Sequence, residues 1–375
     1  MTRLFLAGSI AAIVCNPGTQ FLILLPMNSH HPLPTRERLA TLIHGLSKRR
    51  VLLVGDLAAD RYLVGRSQRV SREAPVVIVR QTGEFTIPGQ AGNTAANLAS
   101  LGACVSMAAL LGDDPEGQSL REELERRGVD TQPGCVVAAG TRTLTKTRIL
   151  AGSHHTRLQQ VARIDREDTG APSPQAIATL SDALLSLVDW AEIVIASDYG
   201  YHSIDIDIWQ RLRQLTRQRG IELVLDSRHR LSVFREADVI TPNEPEALEL
   251  IGHSDALEPP PPQVLSAEAR RRCGARHVLL KRGNHGMCLR EENADGPAIF
   301  GVHGAEEAVD VSGAGDTVVA TLAAARVAGA TWLEAAHLAN IAAGITVQRI
   351  GAASTNPAEL LEALHTWPSA LQPAT

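Results

Sequence analysis

From residue 51 onward, short apolar runs alternate with stretches whose apolar positions recur at helical spacing. The runs at 51–55, 105–110, 192–197, 222–226, 239–241 and 277–281 are apolar at consecutive positions instead of every second one. Strands of that kind are covered on both faces, so they are expected to form a parallel sheet. The stretches 93–101, 116–127, 174–187, 204–219, 245–251 and 264–272 carry the helical spacing and would supply the two covering layers. Period-two patterns at 76–79 and at 143–149 continuing to 158–164 have no helix between them, which predicts a small antiparallel sheet outside the main layer. The last third is helical and rich in alanine and glycine at 314–328 and 333–350, so its helices can pack closely. A short leading helix is expected over 36–46, and 259–262 reads as a surface loop. The fold class is therefore α/β, a three-layer α/β/α sandwich with a small β-sheet lid.

Composition narrows the function. The chain has 375 residues, enough for a filled core, and a formal charge of −5, so no basic field exists to hold nucleic acid or an anionic membrane. The five cysteines are scattered without a C-x-x-C pair, which favours neither a disulfide framework nor a thiolate zinc site and suits a reducing, cytoplasmic setting. Residues 1–26 hold two apolar runs split by Asn16-Pro17-Gly18. They read as an upstream extension with Met27 opening the native protein, a cleaved signal or an ordered extension being the other readings. The expected organisation is an extension and leading helix over 1–47, one domain over 48–366 with lid segments near 57–82 and 141–165, and a tail over 367–375.

Candidate chemistry centres on Asp310-Val311-Ser312-Gly313-Ala314-Gly315-Asp316-Thr317, which opens an alanine-rich helix. Small residues Gly313, Ala314 and Gly315 let a ligand approach backbone N–H groups at a helix N-terminus, where an anion is favoured. Asp316 is either a helix-capping carboxylate or a base that takes a proton from a substrate hydroxyl during phosphoryl transfer. Asn243 and Glu246, three apart at a strand end opening a helix, are likewise a turn cap or a phosphate-side pair. No Walker lysine loop and no G-x-G-x-x-G occurs, so a P-loop enzyme or dinucleotide dehydrogenase has no supporting motif.

From about 51 to 364 these pieces together resemble the ribokinase-like sugar kinases, the phosphofructokinase-B family. The resemblance implies ATP-dependent phosphorylation of a sugar or sugar phosphate, with Mg²⁺. It assigns Asp60, in Gly55-Asp56-Leu57-Ala58-Ala59-Asp60, and Gly89 and Asn93, in Gly89-Gln90-Ala91-Gly92-Asn93, to the sugar. Asn243 and Glu246 match the family's N-x-x-E element that organises the magnesium through water. Lys281, Gly283 and Gly286 match the glycine turn along the nucleotide, and Asn340 falls on the helix bordering the base. Asp316 matches the general base, with Gly313, Ala314 and Gly315 as its anion hole.

Within the family the chain is most similar to kinases of heptose 7-phosphate in lipopolysaccharide core synthesis. The likeness rests on Asp60-Arg61-Tyr62, the stretch Arg69-Val70-Ser71-Arg72-Glu73-Ala74-Pro75-Val76, Thr145-Lys146-Thr147-Arg148, Arg163-Ile164-Asp165 and Ser197-Asp198-Tyr199. Departures are Arg72 for a proline, Gln90 for a glycine, Tyr201 for a lysine, and Asp226-Ser227-Arg228 where D-P-K is usual. An Arg fork and a Lys point charge do not read phosphate alike. Arg61, Arg69, Arg72, Lys146, Arg148 and Arg163 fall in the two lid segments, as a phosphorylated acceptor needs, or as solvated strand faces show. A kinase for another carbohydrate such as a ketose, or for a nucleoside, stands as the alternative, and a silent nucleotide-sensing protein as a third. Lids of this family often pair between subunits, which implies a homodimer. The pairs His30-His31 and His154-His155 lack ligand-spaced partners and read as surface. Cys104 and Cys273 read as core cysteines, and the acidic Asp113-Asp114, Asp205 and Asp207 as turn and helix-face groups.

Overall fold

The computed structural model describes residues 33–152, 158–167, 170–253, 259–304, 308–349 and 351–366, with the side chains of 68 and 69 left aside. The two histidine pairs, the segment before 33 and the tail after 366 lie outside these residues. A leading helix α1 (Arg36–His44) is started by Thr35, whose side chain accepts the Arg38 N–H at 3.2 Å, and buries Leu39, Leu42 and Ile43. Then follow β1 (Arg50–Gly55), β2 (Leu57–Val70), β3 (Val77–Gln90), α2 (Ala91–Ser100), β4 (Cys104–Gly112) and α3 (Pro115–Arg126). Next come β5 (Val129–Asp130), β6 (Cys135–Ala138), β7 (Thr145–Gly152), β8 (Gln159–Arg166), α4 (Pro174–Trp190), β9 (Ile193–Asp198) and α5 (Ile206–Arg219). The second half adds β10 (Glu222–Ser227), β11 (Val239–Ile240), α6 (Glu244–Ile251), α7 (Pro262–Cys273), β12 (His277–Lys281), β13 (Met287–Arg290) and β14 (Ala298–Phe300). Three helices close the described chain, α8 (Ala314–Val327), α9 (Trp332–Thr346) and α10 (Pro357–Ala363).

The main sheet runs β14-β13-β12-β11-β10-β9-β1-β4-β5, with β6 beside β4. It is parallel from β12 to β5 and antiparallel across the β12-β13-β14 edge. Its central strands are buried on both faces, as consecutive apolar runs require. One core packs α1, α2, α8 and α9 against the sheet, and a second packs α4, α5, α6 and α7 on the other side. The lid is a separate sheet in the order β3-β2-β7-β8, standing off the carboxyl ends of β1 and β4, and it is mixed instead of antiparallel as expected, because its two hairpins meet through the parallel pair β2-β7. In an open α/β sheet that end is where ligands bind.

Some expectations need correction. The first lid segment was expected near 57–82, but its strand β2 was not among the expected strands, because Asp60, Arg61 and Arg66 interrupt any apolar alternation in a thin layer that buries little of either face. Its hairpin partner continues to Gln90 and delivers the chain directly into α2. Pro262 belongs to α7, at the first helical position, where a missing N–H costs nothing. Cys104 is exposed, opening β4 before its buried run begins, whereas Cys273 is buried as expected.

Candidate active site

Asp316 sits in the first turn of α8 and is buried. Its carboxylate is not spent on capping that helix, since the cap position is Gly313 and no side chain caps it. Three side chains from elsewhere donate to it instead: Asn93 Nδ2 to Oδ2 at 2.7 Å, Tyr199 OH to Oδ1 at 2.8 Å and Thr94 Oγ1 to Oδ1 at 3.3 Å. Two elements bring them. Asn93 and Thr94 open α2 at the end of the lid hairpin, and Asn97, one turn on, donates to Asn93 O at 2.9 Å and accepts from Thr317 at 3.0 Å, joining α2 to α8. Tyr199 follows β9 in a loop held by Asp56, whose buried carboxylate accepts N–H groups of Tyr199, Tyr201 and Ser203 at 2.8, 3.0 and 2.9 Å.

Burial raises the proton affinity of Asp316 and the nearby Asp226 adds to it, while Asn93, Tyr199 and Lys281 oppose, leaving its pKa at about 6. That is close to where a general base at neutral pH performs best. Lys281, at the end of β12, contacts Asp226 Oδ1 through Nζ at 2.8 Å, and Thr241 Oγ1 donates to the same oxygen at 2.6 Å. Burial pulls the lysine's pKa down, but Asp226 and Glu246 outweigh it and the net direction is up, so its charge is secure. The family resemblance assigned Lys281 to a turn along the nucleotide. The structure directs it inward, to Asp226 and to within reach of Gly315.

Gly313 has φ +77°, and a Cβ there would come within 2.4 Å of Asn93 Nδ2, so no other residue fits beside the Asn93–Asp316 bond. The cradle of amides is narrower than expected, because Ala314 N–H already donates to Val311 O at 3.2 Å. An anion arriving there competes with that carbonyl for Ala314. Asn243 and Glu246 form a reciprocal capping box, with bonds of 2.8 Å each way, so the cap reading holds for both residues. The box engages Glu246 Oε2. Burial and Asp226 raise the Glu246 pKa against the pull of Lys281. Among the described residues no three His, Cys, Asp or Glu side chains are grouped to hold a metal ion.

These groups share one cavity of about 610 Å³, which runs from Asp316 and Glu246 past Gly283 and Gly286 to Asn340. Gly283 opens a short 3₁₀ turn after β12, and Gly286 closes it with φ +80°. Asn340 on α9 donates to Gly301 O at 2.8 Å on the cavity's far wall. A cleft of this size over the carboxyl ends of parallel strands, with a buried carboxylate at a helix start, suits a nucleotide with its phosphates toward α8.

Comparison with known proteins agrees with this architecture. The description pfkB family carbohydrate kinase matches residues 48–359. The chain belongs to this family. It is similar to the curated proteins named Bifunctional protein HldE: 36% identical over 325 residues in Desulfatibacillum aliphaticivorans, covering 86% of this chain and 64% of that one. The counterpart in Rhodospirillum rubrum is 36% identical over 331 residues, covering 87% and 64%. The chain thus spans a little under two-thirds of the length of these relatives. Among solved structures, Arabidopsis thaliana ribokinase complexed with ribose and ATP has TM-score 0.62 at 22% identity, covering 85% of this chain and 99% of that one. Escherichia coli phosphofructokinase-2 in complex with fructose-6-phosphate has TM-score 0.67 at 17% identity, covering 85% and 98%. The fold is ribokinase-like.

In this pfkB-family chain the lid divides the expected acceptor residues between its two faces. Directly paired strand residues point to the same side. The pairings Asp60 with Lys146, Tyr62 with Arg148, Lys146 with Asp165 and Arg148 with Arg163 therefore define one face. On it Asp60 Oδ1 accepts from Arg148 at 2.5 Å and lies against Gly89, where a Cβ would be 2.6 Å from Asp60 Oδ2. Burial lowers the pKa of Lys146, Asp60 and Asp165 oppose that, and Arg228 and Arg148 lower it further. Arg228 also lines the main cavity, so this face and the cavity adjoin. Arg163 is exposed and paired with Asp165. Arg61 corrects an expectation: it points to the opposite face and pairs with Glu84 at 2.9 Å. Arg72 is exposed between β2 and β3, and the Arg69 side chain lies outside the described set. Tyr199, Thr94, Asp226 and Arg228 were not singled out as site residues. The Asp226-Ser227-Arg228 and Ser197-Asp198-Tyr199 stretches carried the signal, at strand ends facing the same cleft. No helix among the described residues is long and apolar enough to cross a membrane.

Proposed function

We propose that this chain transfers the γ-phosphoryl group of ATP to a sugar that already carries a phosphate, with heptose 7-phosphate phosphorylated at its anomeric hydroxyl as the favoured acceptor. Asp316 takes the acceptor proton as its oxygen bonds to phosphorus and the bond to the ADP oxygen breaks. Free amides at the start of α8 stabilise charge developing on the transferred group. The adenine side of the cavity is assigned to Gly283, Gly286 and Asn340. Magnesium neutralises phosphate charge when bound, and Glu246 and Asn243 are assigned to its waters. Glu246 lines the cavity with a carboxylate, the oxygen donor that a hard cation such as magnesium would take up directly or through water. Asp60, Gly89 and Asn93 are assigned to sugar hydroxyls.

The observation that carries the phosphorylated acceptor is the convergence of Lys146, Arg148 and Arg228 where the lid meets the cavity, in a chain whose formal charge is −5. Charge-assisted contacts are roughly twice as strong as neutral ones. A second reading, an unphosphorylated sugar, is favoured by the commitment of Arg148 to Asp60 and of Arg163 to Asp165. A coupled ADP-release assay over free and phosphorylated hexoses, ketoses and heptoses decides between them. Higher kcat/KM for phosphorylated acceptors is expected, with heptose 7-phosphate first; preference for free sugars throughout would overturn the proposal.

Glu246→Gln keeps the helix cap while removing charge. The magnesium concentration giving half-maximal rate is expected to rise roughly tenfold or more, as for other residues that orient metal-bound water. An unchanged magnesium curve in a folded variant would remove Glu246 from the metal's surroundings.

A further inference from the structure

The structure assigns Tyr199 a positioning role: its hydroxyl holds Oδ1 of the Asp316 carboxylate and so fixes the orientation of that group. Three observations carry this. Tyr199 OH donates to Asp316 Oδ1 at 2.8 Å, a shorter bond than the 3.3 Å contact from Thr94 to the same oxygen. The loop is pinned from below, since Asp56 accepts the N–H groups of Tyr199, Tyr201 and Ser203. The next strand end is pinned with it. Asp198 accepts from Ser227 Oγ at 2.5 Å and from Arg230 Nε at 3.2 Å, and Gly200 N–H reaches the same carboxylate at 3.1 Å. Tyr199 therefore has little freedom to leave the carboxylate.

The groups facing Asp316 are Asn93 and Thr94 from α2, Tyr199 after β9, Asp226 from β10 and Lys281 from β12, with Glu246 of α6 facing Tyr199 and Lys281. Lys281 is paired with Asp226, so it offsets one carboxylate and leaves only part of its field for the second. Asn93 serves Oδ2. Oδ1 depends chiefly on Tyr199. Burial and the surrounding carboxylates push the phenol's own pKa well up, so it remains a donor over the working pH range. A donor to the charged form lowers an acid's pKa, so losing it raises that pKa.

The role in the reaction rests on Asp316 being the base, whereas the hydrogen bond's effect on the carboxylate does not. Two measurements separate them. With carboxyl ¹³C-labelled aspartate in the ligand-free protein, the Asp316 resonance is identified as the one absent from Asp316→Asn. Its midpoint is expected near 6 in the native chain and about one to two units higher in Tyr199→Phe, the range that one hydrogen bond to a charged group commands. The acidic limb of kcat/KM, with ATP and heptose 7-phosphate, should rise by the same amount, so the variant loses about two- to tenfold at pH 7 and recovers toward pH 9. Should Tyr199→Phe fold poorly, 3,5-difluorotyrosine at 199 keeps the shape with a stronger donor and should move the carboxyl midpoint down. An unmoved resonance, or a rate reduced equally at all pH values, overturns the inference. Turnover retained by Asp316→Asn would instead overturn the base assignment and leave the carboxyl titration standing as its own test.

Discussion

Asp316→Asn should lower kcat by about 10²–10⁴-fold without weakening the fold, the loss typical of a general base. The amide keeps the size of the carboxylate and can accept from Tyr199 and Thr94 through its oxygen. Asn93 must then turn its own amide oxygen toward the new NH₂, and that oxygen's present bond, from Asn97 at 3.4 Å, is long enough to give up. Stability should move the opposite way from activity. Folding raises the Asp316 pKa from an ordinary 3.8 to about 6, so the folded state binds that proton more tightly than the unfolded chain. The charged form then costs stability at pH above 6, and the cost vanishes below 3.8. Two units correspond to about 3 kcal/mol, so the variant should melt at or above the native temperature at pH 8 and converge with it near pH 4. Paired kcat and Tm measurements across pH check this. Near-native kcat would leave Asp316 without a chemical role, and a Tm that falls at pH 8 would contradict the cost of its buried charge.

The main sheet was legible because six strands are apolar at consecutive positions, a pattern with few other outcomes in a chain of this length. The lid was legible only in part. Its inner and outer faces both carry polar groups, so Leu57–Val70 shows no alternation, and only the strand pairings, above all the parallel one between β2 and β7, reveal that Asp60 and Arg148 share a side while Arg61 does not. Asp316 and the glycine turn before it stood out as local sequence. Of the residues that surround Asp316, Asn93 and Lys281 came only from the family resemblance and Tyr199 and Asp226 were not singled out as site residues, since all four are separated along the chain and meet only because four different strand or helix ends converge on one cleft. Capping residues illustrate the same limit. Asn243–Glu246 and Gly313–Asp316 both read as helix starts, yet only the first pair spends its side chains on the cap. Asp316 is thereby left to three distant donors, an arrangement that does not serve its own helix.

Lys281→Met is expected to destabilise the protein by about 1–3 kcal/mol, because removing one partner of a part-buried ion pair strands the other. Methionine preserves the length and apolar stem of lysine, so β12 should keep its packing, and the loss would fall on the ammonium alone. Asp226 would then retain Thr241 as a donor but lose the ammonium 2.8 Å away, while its charge goes on raising the proton affinity of both Glu246 and Asp316. Urea denaturation of Lys281→Met, Asp226→Asn and the double variant forms the decisive cycle. If the pair acts as described, the double variant recovers most of the loss, since position 226 no longer carries a charge without its partner. A single variant costing under about 1 kcal/mol would place the pair among surface salt bridges, and a double variant as unstable as Lys281→Met would mean that shape, not charge, sets the cost. The cycle also bears on catalysis. Lys281 lowers the Asp316 pKa, so the acidic limb of kcat/KM in Lys281→Met should shift to higher pH, and the double variant, which also lacks the opposing Asp226 charge, should return it toward the native position.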